Sequence, residues 1–407
     1  MRKIDTRSFV RATRSTSRDI NRQIALNLVR EHQPISRADL ARRMHVGRGM
    51  VTSLVDELLA ENAIYEGATV EAPRGRKPMM LYVRTHDRLA VAVDVRFSQT
   101  YVALTDFGGR VLAMESFETV VAPAALVAAI AARVAALLAS RQAGTRCEGV
   151  GMVVPGMVDN RTGRVLFSPQ LGWRDVDVRD ALAEAVGLPV FIESAPIACA
   201  LAQLWLRSGD SSQAPNDFAY VTIGDGVGAG IVVNGQVMRG YANTAGEFGH
   251  APLSLDGPPC LCGRRGCVEA YTSNLATLSR YLGHEFAPDS VRDLLHASGI
   301  TLPDLVERHR AGDARATAAF ERTAEYLGMG LGLLVTILSP ARIYIGGEIT
   351  AAWEHIAPIV REAVARRALT AGAAATPIEP DLTNSYPRLR GGTALVAAPM
   401  FAAPRVA

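Results

Sequence analysis

The sequence predicts a mixed α/β protein: an N-terminal winged helix-turn-helix, residues 1–85, followed by a body, residues 86–407, of two α/β lobes with a cleft between them. Three observations predict it. Apolar residues at helical spacing, with helix start signals, fill much of residues 18–59. Two short strands flank a basic loop just beyond them, and from about Asp87 a strand, turn, strand, turn, strand pattern occurs twice along the chain.

With 407 residues, 49% hydrophobic and 20% charged, the composition is that of a large soluble globular protein of two or three domains. It excludes a disordered or collagen-like chain. The most apolar stretch, Ala124 to Ala139, follows Pro123, carries Arg133 and is shorter than the ~20 residues of a spanning helix. It reads as a buried Ala-rich helix, with no membrane partner. The first residues carry charge but no apolar segment behind it, so no secretory signal is expected and the location expected is cytoplasmic. Residues 1–88 hold 17 Arg and Lys against 10 Asp and Glu, and the remainder 26 against 30. A basic head on a mildly acidic body points to a polyanion partner for the head alone.

In the head, a first helix spans about Arg18 to Glu31, marked by Ile20, Ile24 and Leu28. Ser36 with Asp39 resembles a capping box, Ile35 and Leu40 sit at the staple positions, and a second helix starts at Arg37 and ends near Met44. After a turn at His45, Val46 and Gly47, the stripe Val51, Leu54, Val55, Leu58 and Leu59 marks a third helix. Its other face offers Arg48, Gly49, Met50, Thr52 and Ser53 to base edges in a major groove, with Arg37 nearby. Ile64-Tyr65 and Leu81-Tyr82-Val83 read as two strands of a wing. Its loop carries Arg74, Gly75 and Arg76, suited to a narrow, electronegative minor groove. The partner expected is double-stranded operator DNA.

In the body, Leu89 to Asp94, Thr100 to Asp106 and Arg110 to Phe117 read as three strands, then a helix, then the strand Gly149 to Val154. Phe218 to Ile223, Val227 to Val233 and Gln236 to Met238 repeat the unit, with Asn234-Gly235 as a two-residue hairpin turn. Residues from Thr272 to Thr336 read as mostly helical.

Several motifs then carry a family resemblance: Pro155-Gly156, Leu171-Gly172-Trp173, the glycine-rich run Ile223 to Gly230, Glu247-Phe248-Gly249-His250, a Cys-x-Cys-Gly-x-x-Gly-Cys-x-Glu segment from Cys260 to Glu269, and Ile345-Gly346-Gly347. Together with the head they resemble the ROK family of repressors, open reading frames and kinases, over nearly the whole chain. The resemblance implies an actin-like (ribonuclease-H-like) ROK sugar-kinase fold, a sugar or sugar phosphate in the interlobe cleft, and a homodimer or dimer of dimers. It assigns Glu247, His250 and Glu269 to sugar hydroxyls. Gly156, Gln170, Glu193 and Ser194 are further candidates for sugar contact.

Cys260, Cys262 and Cys267 with His250 supply three thiolates and one imidazole, the ligand type and number of a closed, structural Zn2+ site. The alternatives are three buried thiols or a Cys pair that oxidises adventitiously. A four-ligand site has no open position for water, so the ion's part would be to fix His250 while its second nitrogen faces a sugar. Cys147 and Cys199 read as core residues.

The family's kinases carry an Asp-x-Gly-Gly-Thr turn after the first strand, where this chain has Asp94-Val95-Arg96-Phe97-Ser98. Their second phosphate loop has Thr where this chain has Asp225, an anion that would repel phosphate. After the strand Val190 to Ile192 they have Asn-Asp, and here that register holds Ser194 and Ala195. Alanine cannot act as a base, and Glu193 points another way on its strand. The expectation is therefore no catalytic residue and no enzyme, but a sugar-responsive DNA-binding regulator, most simply a repressor. An ATP-dependent sugar kinase that also binds DNA is the alternative from another class.

Overall fold

The computed structural model describes residues 14–67, 79–142, 144–205, 215–381 and 386–402. The head comprises α1 (Arg14–His32), β1 (Ile35–Ser36), α2 (Arg37–Met44), α3 (Arg48–Ala60), β2 (Ile64–Gly67) and β3 (Met80–Val83). Ser36 caps α2 as expected: its hydroxyl accepts the Asp39 backbone N–H at 3.1 Å and donates to the Asp39 carboxylate at 2.6 Å. His45, with φ 54°, turns the chain left-handed after α2, which sets α3 across it. Ser36→Ala should cost about 1 kcal/mol, read as a lower denaturation midpoint. The strand β1 was not foreseen. It is two residues long, too short for any alternation to register, and it joins β3 at Ile35 and Leu81 to complete a three-stranded antiparallel sheet in the order β1-β3-β2. Val51, Leu54, Val55 and Leu58 are buried against Leu26, Val29, Leu40, Ile64 and Leu81, the stripe the sequence marks. The expected wing loop with Arg74, Gly75 and Arg76 lies outside the described residues.

The body begins with β4 (Arg88–Val95), β5 (Gln99–Asp106), β6 (Val111–Glu118), α4 (Pro123–Ala139) and β7 (Arg146–Val154). A small three-stranded sheet follows, β8 (Met157–Asp159), β9 (Arg164–Ser168) and β10 (Trp173–Asp177), then α5 (Arg179–Val186), β11 (Val190–Ser194) and α6 (Ala195–Trp205). The second half holds β12 (Phe218–Ile223), β13 (Val227–Val233) and β14 (Gln236–Val237), followed by α7 (Val268–Thr272), α8 (Asn274–Tyr281), α9 (Pro288–Ser298), α10 (Leu302–Arg310) and α11 (Ala314–Leu338). It closes with β15 (Arg342–Gly346), α12 (Trp353–Ala365), α13 (Ala371–Ala374), β16 (Ile378–Asp381) and α14 (Pro387–Phe401).

The two main sheets have one topology. The first runs β11-β7-β4-β5-β6 and the second β14-β13-β12-β15-β16. In each, the first strand of the unit is central, pairing antiparallel with the second strand and parallel with the fourth. The duplication read from the sequence is thus a duplication of strand order.

Helices α14 and α6 pack against each other between the sheets, α14 on β4 and β7 and α6 on β12 and β13. Small residues let α14 approach closely: a Cβ on Gly151 of β7 would lie 1.8 Å from the Gly392 carbonyl oxygen of α14. On the far face of the first sheet lies α4, whose side chains Leu126, Val127, Ile130, Val134 and Leu137 are buried. The expected buried Ala-rich helix is thus buried along one face only. The large aliphatics form one stripe, while Ala128, Ala132, Ala135 and Ala136 are exposed because a methyl group gains little by burial. Beneath the second sheet, α11 carries its core face at Phe320, Ala324, Leu327 and Leu331. Among the described residues no helix is long and apolar enough to cross a membrane.

Candidate functional site

The parallel strands of both sheets end at one place, as ligand-binding α/β sheets do. Arg96 after β4, Pro155 and Gly156 after β7, Ser194 and Ala195 at the end of β11, Gly224 to Gly226 after β12, and Gly346 and Gly347 after β15 all line one cavity of about 400 Å³. That volume suits a small molecule. Of the sequence-predicted sugar residues, Gly156, Gln170, Ser194, Glu247, His250 and Glu269 line this cavity.

Glu193 does not, and the expectation that it contacts the ligand is corrected. It is buried, its carboxylate forms an ion pair with Arg239, and it accepts the Ser194 backbone N–H at 2.9 Å. Strand alternation carries it past the cavity wall, and the loop after β14 supplies the cation that a buried carboxylate requires. Burial still holds its pKa above the ordinary carboxylate range, with Arg239 opposing. At Ala195 the cavity wall is a methyl group.

Cys260, Cys262, Cys267 and His250 place their ligand atoms within 4.8 Å of one another. Cys262 Sγ is 3.8 Å from Cys267 Sγ, and Cys260 Sγ is 3.8 Å from His250 Nδ1. A tetrahedron with ~2.3 Å zinc–sulfur bonds has an edge of about 3.8 Å, so the donor set fits zinc. It does not fit a disulfide, whose sulfurs are ~2.05 Å apart. The loop closes around these atoms at Gly266, whose φ is 69° and where a Cβ would lie 1.6 Å from the Ser254 carbonyl oxygen. His250 Nε2, the nitrogen left over, is 3.9 Å from Glu247 Oε2.

The same cluster reaches the glycine-rich loop. Glu269 is buried, with Oε1 3.4 Å from Cys260 Sγ and Oε2 accepting the Val227 N–H at 2.9 Å. Burial pushes Glu247 up to about 7 and Glu269 up to about 7, the latter against the Val227 N–H and the Cys260 thiol.

Opposite them is an ionic cluster that the sequence does not announce. Asp94 is fully buried, accepts a hydrogen bond from Arg96 Nε at 2.8 Å and forms an ion pair with Arg388, whose Nε lies 2.7 Å from Asp94 Oδ1. Arg96 Nη1 reaches across to Glu348 Oε1 at 2.8 Å, and Asn274 Nδ2 donates to Glu348 Oε2 at 3.0 Å. Burial opposes the Arg96 charge, yet Asp94 and Glu348 overcome it and its pKa is raised. Glu348 stands beside the Gly346-Gly347 motif, a signal that could have found it. Arg388 and Asn274 carry none.

In the head, Arg48, Gly49, Met50, Thr52 and Ser53 are exposed on α3. Arg37 is not aimed outward with them: it pairs with Asp56 at 2.8 Å and Glu66 at 3.0 Å, tying α2 to α3 and the sheet. Arg18 on α1 pairs with Glu57 and donates to Ser53 Oγ at 3.1 Å.

Cavity and head are joined by the middle helices. Ala195 and Pro196 at the start of α6, and Pro387, Arg388 and Leu389 at the start of α14, line the cavity. Their far ends, Trp205 and Phe401, meet α1 of the head. Gln23 Nε2 donates to the Met400 carbonyl at 2.8 Å, Asn27 Nδ2 to Phe401 at 2.9 Å and Arg30 Nη1 to Trp205 at 3.1 Å. The Arg30 guanidinium lies over both rings, 4.9 Å from the Trp205 centroid and 5.0 Å from that of Phe401. Phe401 belongs to the same apolar core as Leu26 and Leu54.

Residues 90–398 match the ROK family. The chain is 26% identical to the xylose repressor of Bacillus spizizenii, covering 90% of this chain and 89% of that protein. Among solved structures, a ROK family transcriptional regulator, a homologue of the E. coli MLC protein, shares the fold with a TM-score of 0.76, at 23% identity and with 95% and 97% of the two chains covered. A ROK family glucokinase from Streptomyces griseus, in complex with glucose and AMPPNP, aligns with a TM-score of 0.64 and 27% identity, covering 75% of this chain and 98% of that one.

Proposed function

Since the chain belongs to the ROK family and has its two-lobed, actin-like fold, we propose that it is a sugar-responsive transcriptional repressor without kinase activity. Residues 1–85 read operator DNA and residues 86–407 bind the sugar. The observation that carries this reading is the pair of helices, α6 and α14, that start at the cavity and end on the head. A kinase has no use for such a link, and a repressor requires one.

In this reading α3 presents Arg48, Gly49, Met50, Thr52 and Ser53 to base edges, while Arg74 and Arg76 serve the minor groove. Two copies of the chain set two such helices about one DNA turn apart. Glu247, His250 and Glu269 take sugar hydroxyls, since carboxylates accept two donors each. Zn2+ held by His250, Cys260, Cys262 and Cys267 supplies a structural tie, fixing the His250 ring so that Nε2 stays toward the sugar. Against phosphoryl transfer stand Ala195 at the base position, Arg96 paired to Asp94 and Glu348 where a glycine turn would admit phosphate, and the Asp225 carboxylate.

Sugar that binds the open and closed lobes unequally shifts α6 and α14 against α1 and so alters the spacing of the recognition helices. The test is capture of fragmented genomic DNA from the source organism on the purified protein at physiological salt, with sugars applied in turn. Retention of a few promoters and release by one sugar is expected. Indiscriminate retention, unchanged by every sugar, would overturn the reading. Arg48→Ala should weaken capture and reduce the salt slope of binding by about 1 if it meets a phosphate, or relax sequence preference if it meets a base.

A further inference from the structure

Ion pairs join the two lobes in two different places. Glu193 of the first lobe pairs with Arg239 of the second behind the cavity wall, at the root of α6. Arg96 and Glu348 pair across the cavity itself. Arg96 follows β4 of the first sheet, Glu348 follows β15 of the second, and both side chains line the cavity and are 31% exposed.

Each member of this second pair is held in place from its own side. Arg96 donates through Nε to Asp94, and its guanidinium lies 4.9 Å from the centroid of the Tyr101 ring. Glu348 accepts the Asn274 amide through Oε2 at 3.0 Å, leaving Oε1 for Arg96. The residue before it, Gly347, has φ 115°, and a Cβ there would lie 1.7 Å from the Ile223 carbonyl oxygen, so the glycine is what lets the chain seat Glu348 against the end of β12. Side chains fixed in this way lose little further entropy on meeting, which is the usual cost of an ion pair between long side chains.

The charges around the pair favour the joined state. Buried Asp94 faces two guanidinium groups, Arg96 and Arg388, and one carboxylate cannot balance two cations. Glu348 supplies the second carboxylate, so the four groups together are neutral. If the lobes part, an unbalanced positive charge stays around Asp94 and Glu348 keeps an amide for its partner, a separation opposed wherever water screens poorly. We propose that the pair of Arg96 with Glu348 is a latch that holds the ligand-free lobes closed and breaks when the cleft opens to admit or release its ligand. Arg388 carries the state of the latch to the helix that meets the head: it belongs to α14, and its Nη2 donates to the Val95 carbonyl of β4 at 3.0 Å. The inference rests on the proposed motion of the lobes and on no property of the ligand, so its test contains no sugar and no DNA.

Hydrogen exchange read by mass spectrometry on the full-length, zinc-loaded protein would compare the unmodified chain with Glu348→Gln, which removes the charge and leaves an amide oxygen for Asn274. Exchange in peptides that carry Arg96, Gly156 and Gly224 to Gly226 is expected to quicken by about tenfold, the equivalent of about 1.4 kcal/mol, an effect between those of an exposed and a buried pair. Peptides of α11, from Phe320 to Leu331 in the core of the second lobe, should not change. Raising sodium chloride from about 0.05 M to about 1 M shortens the screening length, and should quicken the same cavity peptides in the unmodified protein and leave those of the variant where they are. Cavity peptides that exchange at one rate in both proteins and at both salt concentrations would overturn the latch. Should the variant lose its fold by circular dichroism, the salt series on the unmodified protein decides alone: quickening confined to the cavity peptides supports the latch, and its absence overturns it.

Discussion

Cys260→Ser is expected to strip the metal from the protein and to blunt its response to sugar. Cys260 contributes one of four donors and also touches Glu269, so its loss loosens both His250 and the carboxylate that holds the glycine-rich loop at Val227. Zinc content should fall from about one per chain to near none, and sugar affinity should drop by roughly 10–100-fold, the range seen when support around a metal site is lost. The head's apolar core, which Phe401 of α14 completes, does not draw on this cluster. Operator DNA should therefore still bind, giving repression that is relieved only at a correspondingly higher sugar concentration. Atomic absorption, calorimetry and DNA retention on one preparation would check all three. Unchanged metal content would dismiss the site.

The second large effect concerns the joint between head and body. Removing the two amide donors, Gln23→Ala with Asn27→Ala, deletes the hydrogen bonds from α1 to the end of α14 without touching the cavity or the exposed face of α3. In the unmodified protein, sugar should lower operator affinity by about 5–150-fold, and operator DNA must lower sugar affinity by the same factor, because coupling between two sites is reciprocal. In the double variant both factors should approach one, while sugar alone and DNA alone bind nearly as before. Single variants complete a cycle that assigns the coupling to this contact, which spatial intermediacy by itself cannot do. Full coupling in the folded double variant would show that the signal takes another route.

Much of this was legible in the chain because the relevant patterns are local. The Val51 to Leu59 stripe, the Ser36 cap and the repeated strand units each depend on neighbours within a few residues, where helical and strand periodicity express themselves directly. The metal cluster was legible for a related reason. Three of its four ligands lie within eight residues and the fourth ten residues upstream, so spacing alone nearly specifies a tetrahedron.

Partners distant in sequence were not legible. Arg96 meets Glu348 across 252 positions, Asn27 meets Phe401 across 374, and Glu193 finds Arg239 in a loop of the other lobe. No periodicity links such pairs. Only the stacking of the two sheets on α6 and α14 brings them together, and that stacking depends on close approaches such as Gly151 to Gly392. The sequence by itself determined which local elements form and which chemical groups are present or missing. The tertiary structure decided which of those groups face the cavity, which are consumed by one another, and that α6 and α14 run from the cavity to α1 of the head, because burial and long-range pairing are properties of packing and not of spacing.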